Sequence, residues 1–398
     1  MMTQRQIAKA IGVSCATVAN ILSGKPGLRY SQETRDRVIT AAAEMGYQQN
    51  RASRVIRTGR SNLIGIVHFG VDVEAARRSN EEISKYCCAA GYHYHAVDMN
   101  WHGGSVERTL NELIQARVEG VIISHIQEVF SDKHIEVLTK ASIPVVSLNG
   151  DPRRNVSLIC DNVEKAIYEL TKHLLKLGHR RLVHLGSQSG LLEVGYNRSV
   201  NHRMKGFRHA IEEKQRGVAS VFPEEEFFRL WPEESLRKSE GIRGFIISQD
   251  RRLYDLVDMP VYRFCKRLFA SGALPDAIVC PNDMYAMEVI AAGLECGIRI
   301  PDDIALTGYD NDRIGRFPAF GLTTAEQNSE ALCSAAVKTL IERIKNPRAE
   351  VVEQTYDSKL IFRTSCGRGL PKRTLVKEAS ANLSANRKMA RKSVRNTV

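Results

Sequence analysis

The sequence predicts a small all-α helix-turn-helix head followed by an α/β body of two lobes, each a parallel sheet flanked by helices. Three observations predict it. Residues 3–23 hold two short helical patterns separated by Gly12. From Asn62 onward, apolar strand-like runs alternate with amphipathic helices, the signature of parallel strands covered on both faces. The string Glu119-Gly-Val-Ile-Ile-Ser124 is echoed by Arg243-Gly-Phe-Ile-Ile-Ser248, a sign of two related lobes.

In the head, Thr3 followed by Gln6 fits a capping box that starts the first helix. Ala8 is small where two helices cross. Gly12 stands where the turn calls for a positive φ, which glycine adopts at little cost. Ser14 can cap the second helix, and Val18 plugs that helix onto the first. A third helix is expected from the N-cap Ser31 through Arg35, Val38, Ile39, Ala42 and Met45, ending at Gly46. A second helix presented in this way can enter a DNA major groove by its N-terminal end, which brings Cys15, Ala16, Thr17 and Asn20 toward the bases. The alternative is an ordinary αα-hairpin.

Charge favours the nucleic-acid reading. The chain of 398 residues carries +12, placed unevenly: residues 1–60 hold +7, residues 368–398 hold +8, and the 307 between them sum to −3. A basic head on a nearly neutral body suits a polyanion, because each phosphate contact releases counterions. The basic tail reads instead as a solubilising, disordered extension.

The expected organisation is a head at 1–47, a basic hinge at 48–61, a two-lobed body at 62–366 whose lobes exchange near 160 and near 326, and a tail at 367–398. Strands are expected at 63–67, 120–124, 143–148, 181–186, 244–248, 277–280 and 304–308. Helices are expected near 75–90, 105–117, 163–177, 203–214, 283–296 and 329–345. No apolar run approaches the ~20 residues of a membrane span. The N-terminus reads as a polar helix rather than an export signal, so a cytoplasmic protein is expected.

Nine cysteines without a Cys-x-x-Cys pair read as reduced, buried packing residues. His93 and His95 alternate on one side of a strand, but no third ligand accompanies them, so no metal is expected. No cofactor is implied. Enzyme chemistry is disfavoured: Gly186-Ser-Gln-Ser-Gly190 has Gln188 where a nucleophile elbow needs serine, no phosphate-binding loop occurs, and His184 reads as a core residue.

The helix-turn-helix, Asn50 with the basic hinge, and Leu63-Ile-Gly-Ile-Val67 together resemble the LacI/GalR family of bacterial transcription regulators. Further matching strings are Leu-Gly-His-Arg-Arg-Leu at 177–182, Arg-Met-Lys-Gly-Phe at 203–207, Pro-Asn-Asp at 281–283, Asp-Ile-Ala-Leu-Thr-Gly-Tyr-Asp at 303–310 and Leu-Thr-Thr at 322–324. The resemblance implies a periplasmic-binding-protein-like body that dimerises, binds operator DNA through its head and senses a small molecule, by analogy a carbohydrate, between its lobes. Transcriptional repression controlled by that effector is the implied outcome. The alternative is a small-molecule sensor that acts through protein partners rather than DNA.

Carried onto this chain, the family's recognition contacts fall on Cys15, Ala16 and Asn20, with Thr17 at a phosphate. The usual Thr-Val-Ser-Arg is here Thr17-Val18-Ala19-Asn20, and Asn suits adenine where Arg suits guanine. In the hinge, Asn50 and Arg54 match the family pattern, and Ile56 takes the place of a leucine that wedges into the minor groove. Packing of Ile56 against Leu63 is the alternative. The effector positions fall on Phe69, Asn149, Asp161, Arg203, Asn282 and Asp310. Asp283 is expected to cap the helix that follows it. Residues 217–262 depart from the family pattern; Trp231 or Phe228 is the expected aromatic of the cleft there.

Overall fold

The computed structural model describes residues 2–22, 29–47, 59–68, 74–99, 105–124, 130–150, 152–187, 198–213, 217–236, 241–249 and 259–367. The chain divides into two units, Met1–Ser61 and Asn62–Val398. The expected contacts Asn50, Arg54, Ile56 and Phe69, most of the hinge, and the tail from 368 lie outside the described residues.

The head holds α1 (Gln4–Ile11), α2 (Cys15–Leu22) and α3 (Gln32–Glu44). The capping box forms as expected: the Gln6 amide donates to Thr3 Oγ1 at 3.4 Å and the Thr3 amide donates to Gln6 Oε1 at 2.9 Å. Gly12 sits at φ 69, and its N–H donates to the Ala8 carbonyl. Ser14 Oγ accepts from the Thr17 amide at 2.9 Å, so α2 starts where its cap predicts. Ile7, Ala8, Val18, Ile21, Val38, Ala41 and Ala42 form the buried core. Arg37 ties α3 to the end of α1 by donating to the Ile11 carbonyl at 2.7 Å.

The body follows as β1 (Leu63–His68), α4 (Glu74–Ala89), β2 (His93–Asp98), α5 (Val106–Gln115), β3 (Gly120–Ser124), α6 (Asp132–Lys140), β4 (Val145–Leu148), β5 (Val156–Asp161), α7 (Val163–Leu177), β6 (Arg181–Ser187), α8 (Arg198–Glu212), β7 (Gly217–Pro223), α9 (Glu224–Leu236), β8 (Ile242–Gln249), α10 (Pro260–Ala270), β9 (Ala277–Val279), α11 (Asp283–Cys296), β10 (Ala305–Thr307), β11 (Thr324–Glu326), α12 (Ser329–Lys345), β12 (Glu353–Tyr356) and β13 (Lys359–Ile361).

Lobe 1 is a parallel sheet in the order β12-β5-β4-β3-β1-β2, and lobe 2 is a parallel sheet in the order β10-β9-β6-β8-β7. Alternate residues of each strand face opposite helical layers. In lobe 1, Ile64, Ile66, Ile122 and Val146 pack on α4 and α12, while Val67, Val97, Val121 and Ile123 pack on α5 and α6. In lobe 2, Val183, Leu185 and Ile247 pack on α9, α10 and α11, while Leu182, Ile246 and Val279 pack on α7 and α8. Burial on both faces explains the near-continuous apolar strands of the sequence.

The repeated Gly-x-Ile-Ile-Ser string falls on non-equivalent strands. β1 and β2 are direct neighbours, but β8 is inserted between β6 and β7. The recurrence has a local cause instead. A Cβ on Gly120 would lie 2.8 Å from Leu340 of α12, and one on Gly244 would lie 2.9 Å from Ile211 of α8. Both glycines let a helix approach a buried strand closely. The described residues of the acidic stretch 217–262 form β7, α9, β8 and the start of α10.

Among the described residues the chain passes between the lobes three times: after Asp161, between β11 and α12, and between β12 and β13. The third passage adds to the two expected. At this junction β11 and β13 pair antiparallel, and Asn162 Nδ2 donates to Asp357 Oδ1 at 2.9 Å, joining the first passage to the third. All nine cysteines are free thiols. Against expectation Cys15 and Cys88 are exposed at solvent-facing helix positions, and Cys296, the last residue of α11, is half-buried against the edge of the lobe 2 core. Among the described residues no helix is long and apolar enough to cross a membrane.

Candidate effector site and DNA-binding head

Four of the six expected effector residues gather at the lobe junction. Asp161 ends β5, and its Oδ1 accepts from Ser358 Oγ at 2.8 Å. The Ser358 and Tyr309 hydroxyls lie 2.9 Å apart. Arg203 stands on α8 with its guanidinium carbon 4.9 Å from the centroid of the Tyr309 ring. Asp310 follows Tyr309 at φ 108, and its Oδ1 accepts from Gln327 Nε2 at 3.1 Å. Asn149, at φ 56 after β4, accepts the Asp161 amide on Oδ1 at 2.7 Å and so fixes the end of β5.

These groups are buried: Asp161 is 9 % exposed, Arg203 8 % and Asp310 6 %. Asp161 Oδ2 and Arg203 Nε are both enclosed without a hydrogen-bond partner. Burial pushes the Asp161 carboxyl up to about 7, against the pull of the Ser358 hydrogen bond and the Arg203 charge. Burial likewise pushes Asp310 up to about 7, opposed by Arg203. The Asp161 carboxylate and the Arg203 guanidinium, desolvated and incompletely paired, can each offer a hydrogen bond to a polar ligand, and Asp310 can trade its bond to Gln327 for one.

Asn282 takes a different local role. Its Oδ1 accepts from the Tyr285 amide at 2.8 Å, making it the N-cap of α11. The expected cap, Asp283, is instead the first helical residue. The backbone decides between them: Asn282 is extended, at φ −152, as an N-cap must be. The Asp283 carboxylate is fully buried and accepts from Thr324 Oγ1 at 2.7 Å and from the Asp312 amide at 2.7 Å.

Neither proposed aromatic enters the cleft. Trp231 is 1 % exposed, stacks on Phe227 at 5.1 Å and donates from Nε1 to the Ala273 carbonyl at 3.0 Å. Phe228 packs against Phe264, with the Arg267 guanidinium 3.9 Å over its ring. Both belong to the packing of α9 on α10. His184 is the core residue expected: it stacks on Phe207, holds the Val279 carbonyl through Nδ1 at 2.8 Å, and is pushed down by burial to about 4. Tyr309, Ser358 and Gln327 were missed as site residues. Tyr309 lies within a string already singled out, whereas Ser358 and Gln327 carry no local signal.

On the head, Cys15 and Ala16 are exposed on the first turn of α2, and Thr17 and Asn20 are half-buried. Asn20 Nδ2 donates to the Tyr30 hydroxyl at 3.1 Å, which sets the plane of the amide.

Comparison with known proteins agrees with this architecture. The profile of bacterial regulatory proteins of the lacI family matches residues 3–50. That of periplasmic binding proteins and the sugar binding domain of the LacI family matches 80–221, and a periplasmic binding protein-like domain matches 171–366. A capped helix-turn-helix ahead of a two-lobed body of this kind defines a DNA-binding transcription regulator with an effector-binding domain. Among relatives, the HTH-type transcriptional repressor PurR of Haemophilus influenzae is 26% identical over 356 residues, covering 89% of this chain and 94% of that protein. PurR of Klebsiella pneumoniae is 26% identical over 373 residues, covering 93% and 98%. The chain belongs to the LacI/GalR family of bacterial transcription regulators. Among solved structures, the lac repressor dimer bound to operator and the anti-inducer ONPF superposes with a TM-score of 0.68 at 21% identity, over 92% of this chain and 99% of that one. The complex of the regulator CelR with cellobiose gives 0.58 at 19% identity, over 92% and 100%.

Proposed function

We propose that this chain is a homodimeric repressor that grips a near-palindromic operator with two heads and releases or tightens its hold when a small polar molecule, a sugar or sugar derivative, binds between the lobes. The observation that carries the effector reading is the junction cluster. Asp161 and Arg203 each keep one enclosed polar atom without a partner, and a polyhydroxylated ligand offers donors and acceptors to both. Asn149 and Asp310 complete the polar wall, and Phe69 would cover an apolar face of the ligand. Asn282 contributes through its amide nitrogen, since its oxygen holds the α11 cap.

At the DNA, Cys15, Ala16 and Asn20 face the bases, Thr17 a phosphate, and Asn50, Arg54 and Ile56 the central minor groove. Two-fold symmetry of the protein matches two half-sites. The relatives named as repressors support repression, and the relative solved with cellobiose supports a carbohydrate.

The test is a thermal-shift screen of the full chain against mono- and disaccharides and nucleobases, followed by mobility shift on operator fragments selected from genomic DNA. Arg203→Ala should lose the thermal shift and the ligand response while still retarding the operator. A variant that keeps the full response would refute the effector site. A chain that retards no fragment would refute the repressor reading in favour of a sensor that works through proteins.

A further inference from the structure

Arg78 stands on α4 of lobe 1, 232 residues before the loop it holds in lobe 2. Its guanidinium donates to the Asp310 carbonyl, reaches Asp312 Oδ1 at 3.4 Å and lies 3.9 Å from Glu326 Oε1 on the second passage between lobes. One turn earlier on the same helix, Glu74 Oε2 accepts the Arg313 amide at 2.8 Å. The two residues therefore clamp the loop that follows β10 from the lobe 1 side.

The clamped loop is the one that builds the candidate effector cluster. Tyr309 carries Arg203 on its ring and meets Ser358, which meets Asp161. Asp310 turns its carboxylate to Gln327 and its carbonyl to Arg78. Asp310 and the next residue, Asn311, hold positive φ values of 108 and 52. A peptide fixed in that region between two anchored side chains has little slack. A shift of the Asp310 carboxylate toward or away from Arg203 moves its carbonyl at Arg78.

We propose that Arg78 is a positioning residue that transmits the charge state and occupancy of the Asp161–Arg203–Asp310 cluster to α4 of lobe 1. The functional meaning of this link rests on the effector reading above; the link itself does not. Hydrogen exchange is therefore read on the full-length protein without ligand, and the cluster is perturbed by Asp161→Asn. The reporters are the Arg313 amide, held by Glu74, and the hydrogen-bonded amides of the first turns of α4.

In the otherwise native chain, Asp161→Asn should change exchange at these reporters by about fivefold or more, the low end of ordinary site-to-site coupling. With Arg78→Ala, baseline exchange at Arg313 should rise and the response to Asp161→Asn should vanish. Arg78→Lys keeps the charge but not the forked reach, and should retain a weakened response. A residue that merely stabilised α4 would raise its exchange and leave the Asp161→Asn response intact; that result overturns the proposal. So does unchanged exchange in Arg78→Ala. Failure of Arg203→Ala to affect the sugar screen would instead sink the effector reading while leaving the link standing.

Discussion

A Cβ added to Gly308 would stand 2.1 Å from Oδ1 of Asp283. The glycine is required by that carboxylate rather than by its own backbone. Asp283 cannot step aside, because it is fully buried and holds both Thr324 and the Asp312 amide. Gly308→Ala should therefore cost about 1–3 kcal/mol, the range for overpacking a fixed site. Denaturant unfolding measures it. Gly12→Ala makes a control: a Cβ there meets nothing within 4 Å, so only the φ of 69 is penalised. Equal and negligible losses at both positions would contradict the buried anchor at Asp283.

The junction carboxylates make stability depend on pH. Burial moves Asp161 from the ordinary 3.8 to about 7. In the window between those values the folded chain holds a proton that the unfolded chain has lost. The Asp161 contribution is thus fully present below the lower value and is lost as pH rises through the upper one. Asp161→Asn stays neutral throughout and lacks this slope. Urea midpoints across the window should fall with rising pH more steeply for the native chain than for Asp161→Asn. Parallel profiles would show that Asp161 is ionised in the fold.

The parts of this fold that were legible in the sequence are the parts decided locally. The Thr3–Gln6 box, the Ser14 cap and the left-handed Gly12 each depend on residues within one helical turn. Seven strands announced themselves because strands buried on both faces read as near-continuous apolar runs. The acidic first turn Glu224-Glu225-Glu226 was also a signal, since carboxylates favour a helix N-terminus; read as irregularity, it hid α9. What the sequence could not supply is decided over distance. Asn282 and Asp283 are both good caps, and only the backbone angle separates them. Trp231 became a core residue because it stacks on Phe227, one turn earlier on α9, and packs against Phe245 of β8, a choice made by packing. The third passage near 357 rests on strands of four and three residues, too short to register as apolar runs. Ser358 reaches Asp161 across 197 residues.

Trp231 gives a test of that packing. Its indole stacks on Phe227 and meets the Phe245 ring edge-on, and its N–H donates to the Ala273 carbonyl at 3.0 Å. Trp231→Ala should cost about 3–5 kcal/mol, the usual range for emptying a core aromatic site. Trp231→Phe should cost less but leave the Ala273 carbonyl with only the long hydrogen bond from Ser271 Oγ, at 3.4 Å. Both should keep ligand specificity in the sugar screen. A variant of full stability with altered ligand choice would return Trp231 to the cleft.

Asn20 and Tyr30 separate base reading from general affinity. A bidentate adenine contact uses the oxygen and one N–H of the Asn20 amide in a set plane. The Tyr30 hydroxyl, 3.1 Å from Nδ2, sets that plane. Asn20→Ala should weaken binding to a selected operator by about 1–3 kcal/mol while leaving binding to unrelated DNA nearly unchanged. Tyr30→Phe keeps the ring but removes the orienting hydroxyl, so it should produce a smaller loss of the same kind. Mobility shift at fixed salt on both DNAs reads the difference, because phosphate contacts alone depend steeply on salt. Equal losses on operator and unrelated DNA would mean that Asn20 acts on the backbone or on the stability of α2. A loss in Tyr30→Phe larger than in Asn20→Ala would mean that Tyr30 meets the DNA itself.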